Sequence, residues 1–535
     1  MYWVVFILAG AALAQAPRGQ TGLIEGRVAN AVTGLGIRDV MVRLQSESED
    51  YSITAVSGEN GSFTFLEVPA GNYRISGSRE GFYSPRTPPA HVSVANQQAL
   101  KDVGIRLISL ARVSGRVFGE DRKPRSDALV SVLRVQYSDG TPWLTPVRSD
   151  MNQTSIRDFE VSTNEDGSFT VEGLEDGEYY LVVKTPRVPL VFYPGVSSST
   201  LAVPIVVQPG KDVFGIRFDL PVPDLHVVNF DVVMSDNSGT LGKPLLCSVI
   251  QVSDQFYAVV ADKESLTSHN DGRWSISPGL STGSYRVLCT PRPLLYGTTI
   301  GLLHVDVTNS DVEAGQMIVS GNVAVRGRID VSNSDIGAVN YKELRLFLIP
   351  DSGWPITLTP GLAAGRPVAN DGTFTFRMGE VENVPPGKYQ VRLTGLPPNA
   401  YIEEIRYDHK TIADGRLQID RAGDLVLRIS GPGAVIKGIV RDARGLPQGN
   451  VPVLLLPSMD QRGNHSLFKE VLTDTDGGFV IRGIRRGEYG LISWTKAKAG
   501  AHLNSRFMEQ FESRVIKVSV PGSSEFIVNP TLVEN

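Results

Sequence analysis

The sequence predicts an all-β chain, a tandem array of about five antiparallel β-sandwich domains. Three observations carry this. One turn-strand-turn-Tyr motif recurs at a near-constant interval, segments with period-two apolar alternation flank each copy, and no long stretch follows a helical period.

In chain order, the first element is MYWVVFILAGAALA, residues 1–14. It is an apolar run ending in the small-residue pattern Ala12-Leu13-Ala14 and reads as a signal peptide cleaved after Ala14. No later segment approaches the roughly 18–20 continuous apolar residues that span a bilayer. The mature chain therefore reads as secreted, periplasmic or on the cell surface, with membrane contact only through an uncleaved signal peptide.

Five motif copies follow: ENGSFTFLEVPAGNYRI (59–75), EDGSFTVEGLEDGEYYL (165–181), NDGRWSISPGLSTGSYRV (270–287), NDGTFTFRMGEVENVPPGKYQV (370–391) and TDTDGGFVIRGIRRGEYGL (473–491). Their first glycines, Gly61, Gly167, Gly272, Gly372 and Gly477, are 106, 105, 100 and 105 residues apart, which marks tandem domains. The flanks divide the chain into sandwiches at 15–109, 110–221, 222–320, 321–431 and 432–535. Most units open on a Gly-initiated strand, as in EGRVANAV from Glu25 and KGIVRDAR from Lys437. A second strand alternates, as in Val40-Met41-Val42-Arg43-Leu44, and a further strand pair closes the unit.

The motif's chemistry is structural. Asn-Gly and Asp-Gly tolerate the positive φ of a tight turn. Phe-x-Phe, Phe-x-Val or Phe-x-Ile then sends two large side chains to one buried face. The Tyr after the second Gly buries its ring while keeping its hydroxyl bonded near a sandwich corner.

Composition narrows the function. Lys plus Arg number 52 against 57 Asp plus Glu, with the signs interspersed, so no basic stripe argues for nucleic acid. The histidines form no H-E-x-x-H, and no metal or cofactor is expected. Gly279-Leu280-Ser281-Thr282-Gly283 fits G-x-S-x-G, but the same loop reads Gly173-Leu174-Glu175-Asp176-Gly177 in the second copy, so Ser281 reads as a loop residue and no catalytic residue is expected. Asp474 and Asp476 resemble the start of a calcium loop but lack its continuation and read as turn residues.

The paired motif resembles the carboxypeptidase regulatory-like domain, a transthyretin-like or Ig-like sandwich also grouped with carbohydrate-binding-like folds. It is similar as well to B-type repeats of Gram-positive surface adhesins. The resemblance implies a bacterial, exported, non-catalytic binding or spacer protein, with carbohydrate binding or cell-surface adhesion as its role. An accessory subunit of a secreted enzyme or outer-membrane uptake complex, binding a cell-envelope protein, is the alternative. Some adhesin repeats carry a Lys-Asn cross-link assisted by an acid. Lys437 and Asn529 are present here, but the acid's slot holds Gly77, Val183, Cys289, Leu393 and Ser493, so no cross-link is expected.

Two further sets of residues are candidates. Cys289 shares the inward parity of Tyr285 and Val287, and Cys247 that of Leu245 and Val249, consistent with one buried disulfide or with two buried thiols. Trp143 and Trp354, each in a Gly/Pro loop after an early strand, and Tyr193 in VFYPGVSS are carbohydrate-stacking candidates, or else pack on their own sandwich edges. Short linkers suggest five units in line, on the order of 150 Å long.

Overall fold

The computed structural model describes residues 21–533 apart from 49–50, 86–89, 150–156, 159, 186–189, 223, 235–244, 254–255, 262–265, 270–271, 292–299, 321–322, 333–335, 337, 351–364, 379–380, 383 and 495–498. The predicted signal peptide, residues 1–14, and Trp354 lie outside the described residues.

In the first repeat, β1 (Gly22–Asn30), β2 (Met41–Ser46), β3 (Ser52–Val56), β4 (Ser62–Val68), β5 (Gly71–Ser78), β6 (Phe82–Tyr83), β7 (Ala90–Val94) and β8 (Ala99–Ser109) form two sheets, ordered β4-β1-β8-β6 and β3-β2-β5-β7. Alternation sets the sides. Val42, Leu44, Tyr73 and Ile75 point inward against Ile24, Val28, Phe63 and Phe65, while Met41, Arg43, Gln45, Arg74 and Ser76 are exposed. Burying each such apolar side chain stabilises by about 1.5–3 kcal/mol.

The same pattern recurs along the chain. The first motif glycine is left-handed in every copy, with φ of 78°, 73°, 87°, 82° and 79° at Gly61, Gly167, Gly272, Gly372 and Gly477. At Gly61 a Cβ would also lie 2.1 Å from the Val28 carbonyl oxygen, so no other residue fits. The residues two and four positions beyond follow the predicted face: Phe169 and Val171, Phe374 and Phe376, and Phe479 and Ile481 are buried.

Some pairings depart from the antiparallel expectation. An opening strand pairs in parallel with a closing one: β1 with β8, His226–Met234 with Val312–Ser320, Val325–Val331 with Gly423–Ser430, and Ala434–Ile439 with Glu525–Ile527, while Leu532–Val533 also runs parallel to Gly487–Trp494. A parallel first-last pair brings the chain in at one end of a repeat and out at the other, which suits a tandem array.

Contacts group the chain into two compact units, residues 1–114, 170–177 and 206–216, and residues 115–169, 178–205 and 217–535. Within the second unit, Thr141–Pro146 of the second repeat pairs in parallel with Tyr257–Ala261 of the third, joining two repeats in a 14-stranded sheet. The same unit contradicts the in-line expectation. Asp139 at the tip of the hairpin Leu129–Ser138 and Thr141–Pro146 bonds to Arg392 of the fourth repeat and, at 3.0 Å, to His465 of the fifth. The interval between motifs gives the number of repeats, and side-chain chemistry decides which repeats meet.

Candidate functional site

The motif tyrosines occupy corners of the sandwiches. Tyr73 donates its hydroxyl to Pro69 O at 2.8 Å, Tyr285 to Ser281 O at 2.8 Å, Tyr389 to Pro385 O at 2.6 Å and Tyr489 to Arg485 O at 2.9 Å. In each case the acceptor lies four residues back, so one bond fixes the loop between the two motif strands. Burial pushes the Tyr285 and Tyr389 phenols above their ordinary value and the Tyr489 phenol up to about 12. Ser281 Oγ lies 3.0 Å from the Tyr285 hydroxyl and belongs to this corner. Asp474 Oδ1 accepts from the backbone N–H groups of Asp476 and Gly478 at 3.0 and 2.7 Å, a turn-closing role. The Lys437 ammonium pairs with Glu525, and Asn529 Oδ1 accepts from Ile439 N at 2.9 Å, so the two groups serve separate partners.

Cys247 and Cys289 stand directly opposite each other on neighbouring strands, buried, with their sulfurs joined. Trp143 requires a correction: its ring is 4% exposed, packed on Ile250 and Leu288 and edge-on to Tyr257 at 5.2 Å. The side chains of Ile250, Leu288 and Tyr257 thus cover the ring that sugar stacking would need. Tyr193 is half-buried, edge-on to Phe218 at 5.7 Å. Trp143 and Tyr193 therefore pack against different partners, and Trp354 lies outside the described residues.

What sequence reasoning missed lies one and three residues after each motif Tyr, on the outward face of the same strand. In the second repeat these positions are Tyr180 and Val182, packed with Phe256 and Ala258 of the third. In the third repeat, Leu288 lies under Trp143 of the second, and the Arg286 guanidinium sits over the Tyr257 ring. In the fourth, Gln390 donates to Gly463 O of the fifth at 2.8 Å, and Arg392 binds Asp139. In the fifth, Ile492 lies with Trp494 beneath Met508 and Phe511 of the segment containing α1 (Ser505–Glu509). Burial alone would raise the Asp139 carboxyl, but the His465 hydrogen bond and the charges of His465 and Arg392 outweigh it and hold the carboxyl below its usual range. Nearby, burial, aided by the positive charges of His465 and Arg392, lowers His502 to about 4. In the first repeat alone the corresponding residues, Arg74 and Ser76, are exposed.

This first sandwich, with its left-handed Gly61, Phe63-x-Phe65 pair and Tyr73 corner, decides the family comparison. Residues 23–106 match the carboxypeptidase regulatory-like domain. No curated protein matches the chain significantly in sequence. Among solved structures, a streptococcal ancillary pilin is 20% identical, covering 37% of this chain and 62% of its own length at a TM-score of 0.23. The Bacillus cereus major pilin subunit BcpA is 11% identical, covering 56% of this chain and 99% of its own at 0.17. A Pseudomonas aeruginosa protein provisionally assigned to carbohydrate binding is 17% identical, covering 17% of this chain and 92% of its own at 0.13.

On the carboxypeptidase regulatory-like domain, the open outward face runs in rows across four strands. One row is Ser52, Gln45, Arg74 and His91, and the next is Thr54, Arg43 and Ser76. Arg43 makes no hydrogen bond or ion pair among the described residues. Arg74, its side chain 63% exposed, lies 3.6 Å from Glu47 Oε1, which sits 2.7 Å from His91 Nδ1. The face holds donors and acceptors in a flat array, suited to reversible binding of a polar ligand.

Proposed function

We propose that this is an exported, non-catalytic binding and spacing protein of the cell surface, built from five sandwich domains divided at the boundaries read from the sequence. The observation that carries the reading is the use of its chemistry-bearing groups. Motif tyrosines, turn carboxylates, Ser281 and Asp139 are bonded to neighbouring protein groups. Repeats with such internal bonding are suited to holding and displaying rather than to turnover. Carbohydrate is the ligand class, and the burial of Trp143 moves the expected contact away from the tryptophan loop. A protein partner in the cell envelope is the second reading, favoured by the exposed apolar side chains of Leu201 and Val203 close to Tyr193. A glycan array probed with the mature chain separates the two. Signal on polysaccharides, unchanged in Trp143→Phe, supports the carbohydrate reading, and a blank array would favour the protein partner.

A further inference from the structure

We propose that the β3-β2-β5-β7 face of the first repeat is a binding surface for a carboxylate-bearing polysaccharide, read through Arg43 and Arg74. The inference rests on the carbohydrate reading above and adds to it the face and the charge class.

Position comes first. The strand after the motif turn directs two residues outward in every repeat. In the second to fifth repeats those positions are engaged by a neighbouring repeat or by the segment around α1, through Tyr180, Leu288, Gln390, Arg392 and Ile492. In the first repeat they are Arg74 and Ser76, and the facing β2 residues Gln45 and Arg43 are exposed with them. The same sheet surface that packs repeats together elsewhere, through apolar side chains in some and polar ones in others, is exposed here and polar.

Chemistry gives the occupant. Four strands at about 4.8 Å spacing present a flat face roughly 15 Å across. Its hydroxyls, amide and guanidinium groups match a hydroxyl-rich polymer. The exposed pair Met41 and Val56, directly opposite each other at 50% and 66% exposure, offers an apolar strip for sugar C–H faces beside the Arg43 row. Arg43 has five N–H donors without a partner among the described residues, and a guanidinium fork fits a carboxylate in two parallel bonds. With a net charge of -5 the chain has no general attraction for polyanions, so recognition of an acidic polymer falls to these local arginines. Among the described residues Glu47 is the acid beside Arg74, held by His91.

The test uses the full mature chain, polygalacturonate as the acidic probe and dextran as the neutral one, read by affinity electrophoresis at low and high salt. The expected result is retention by polygalacturonate that weakens with salt, drops by at least about tenfold in Arg43→Gln/Arg74→Gln and strengthens in Glu47→Gln, with melting temperatures unchanged. Retention unaltered in the double variant would overturn the face while leaving the carbohydrate reading standing. Equal retention of the wild type by dextran overturns the charge class. Tighter binding to duplex DNA than to polygalacturonate overturns the glycan assignment. No retention by any polysaccharide overturns the inference and the reading beneath it together.

Discussion

A buried phenol with a fixed acceptor is a small device with a measurable signature. Tyr489 is 6% exposed, donates to Arg485 O, and is pushed by burial from the ordinary 10.0 to about 12. The unfolded chain releases this proton near its ordinary value and the folded chain only near the raised one. Stability from the group is therefore complete below pH 10 and declines as pH rises toward 12, by up to about 3 kcal/mol. Urea unfolding of the wild type should hold level to about pH 10 and then fall, because the raised phenols of Tyr285 and Tyr389 act in the same direction. Tyr489→Phe should lose about 1 kcal/mol at neutral pH for the missing bond and show a shallower alkaline decline. An unchanged alkaline slope would mean that the corner opens before it titrates. The glycines, the alternating aromatics and these tyrosines were all legible in the sequence, because their chemistry is local and repeats five times.

At the scale of the element, the hairpin of the second repeat shows what local reading leaves out. Asp139 and Gly140, with φ of 47° and 82°, close the two-residue turn between Ser138 and Thr141. That much follows from Asp-Gly. The same tip sits against the fifth repeat: Asn504 Nδ2 donates to Gly140 O at 2.7 Å, and Tyr137 lies edge-on to Phe507 at 5.5 Å. Partners more than 250 residues away leave no periodic trace, so His465 and Arg392 could not be paired with Asp139 from sequence. Asp139→Asn keeps the turn's tolerance of positive φ and removes the charge, and should cost about 2 kcal/mol in urea unfolding at pH 7. His502 adds an acid limit. Its folded value of about 4 lies below the ordinary 6.5, so its contribution is complete above pH 6.5 and is lost as pH falls toward 4, on the order of 3 kcal/mol. Asp139 adds to the loss only below its own ordinary value of 3.8. Comparing wild type with His502→Gln at pH 7 and pH 4.5 checks the sign, since the variant should lack this part of the acid decline.

For the whole molecule, the division of labour among repeats was half-legible. Strict alternation in Met41-Val42-Arg43-Leu44-Gln45 marks a strand covered on one side, whereas Tyr179–Val183 and Val453–Leu456 are continuous apolar runs, the mark of strands covered on both. Those runs announced that outward faces in later repeats are buried, but not by what. The covering groups, Trp143, Phe256, Met508 and Phe511, sit in segments that differ from repeat to repeat. The family match over residues 23–106 falls on the repeat whose face remains open. Hydroxyl-radical footprinting of the native mature chain, read residue by residue by mass spectrometry, tests this division most directly. Met41 at 50% exposure should oxidise fast, while Trp143 at 4%, Trp494 at 0% and Met508 at 0% stay protected until the chain unfolds. Oxidation of Trp143 and Met508 in the native chain at rates matching Met41 would contradict the account, because the outward faces of the later repeats would then be as open as that of the first.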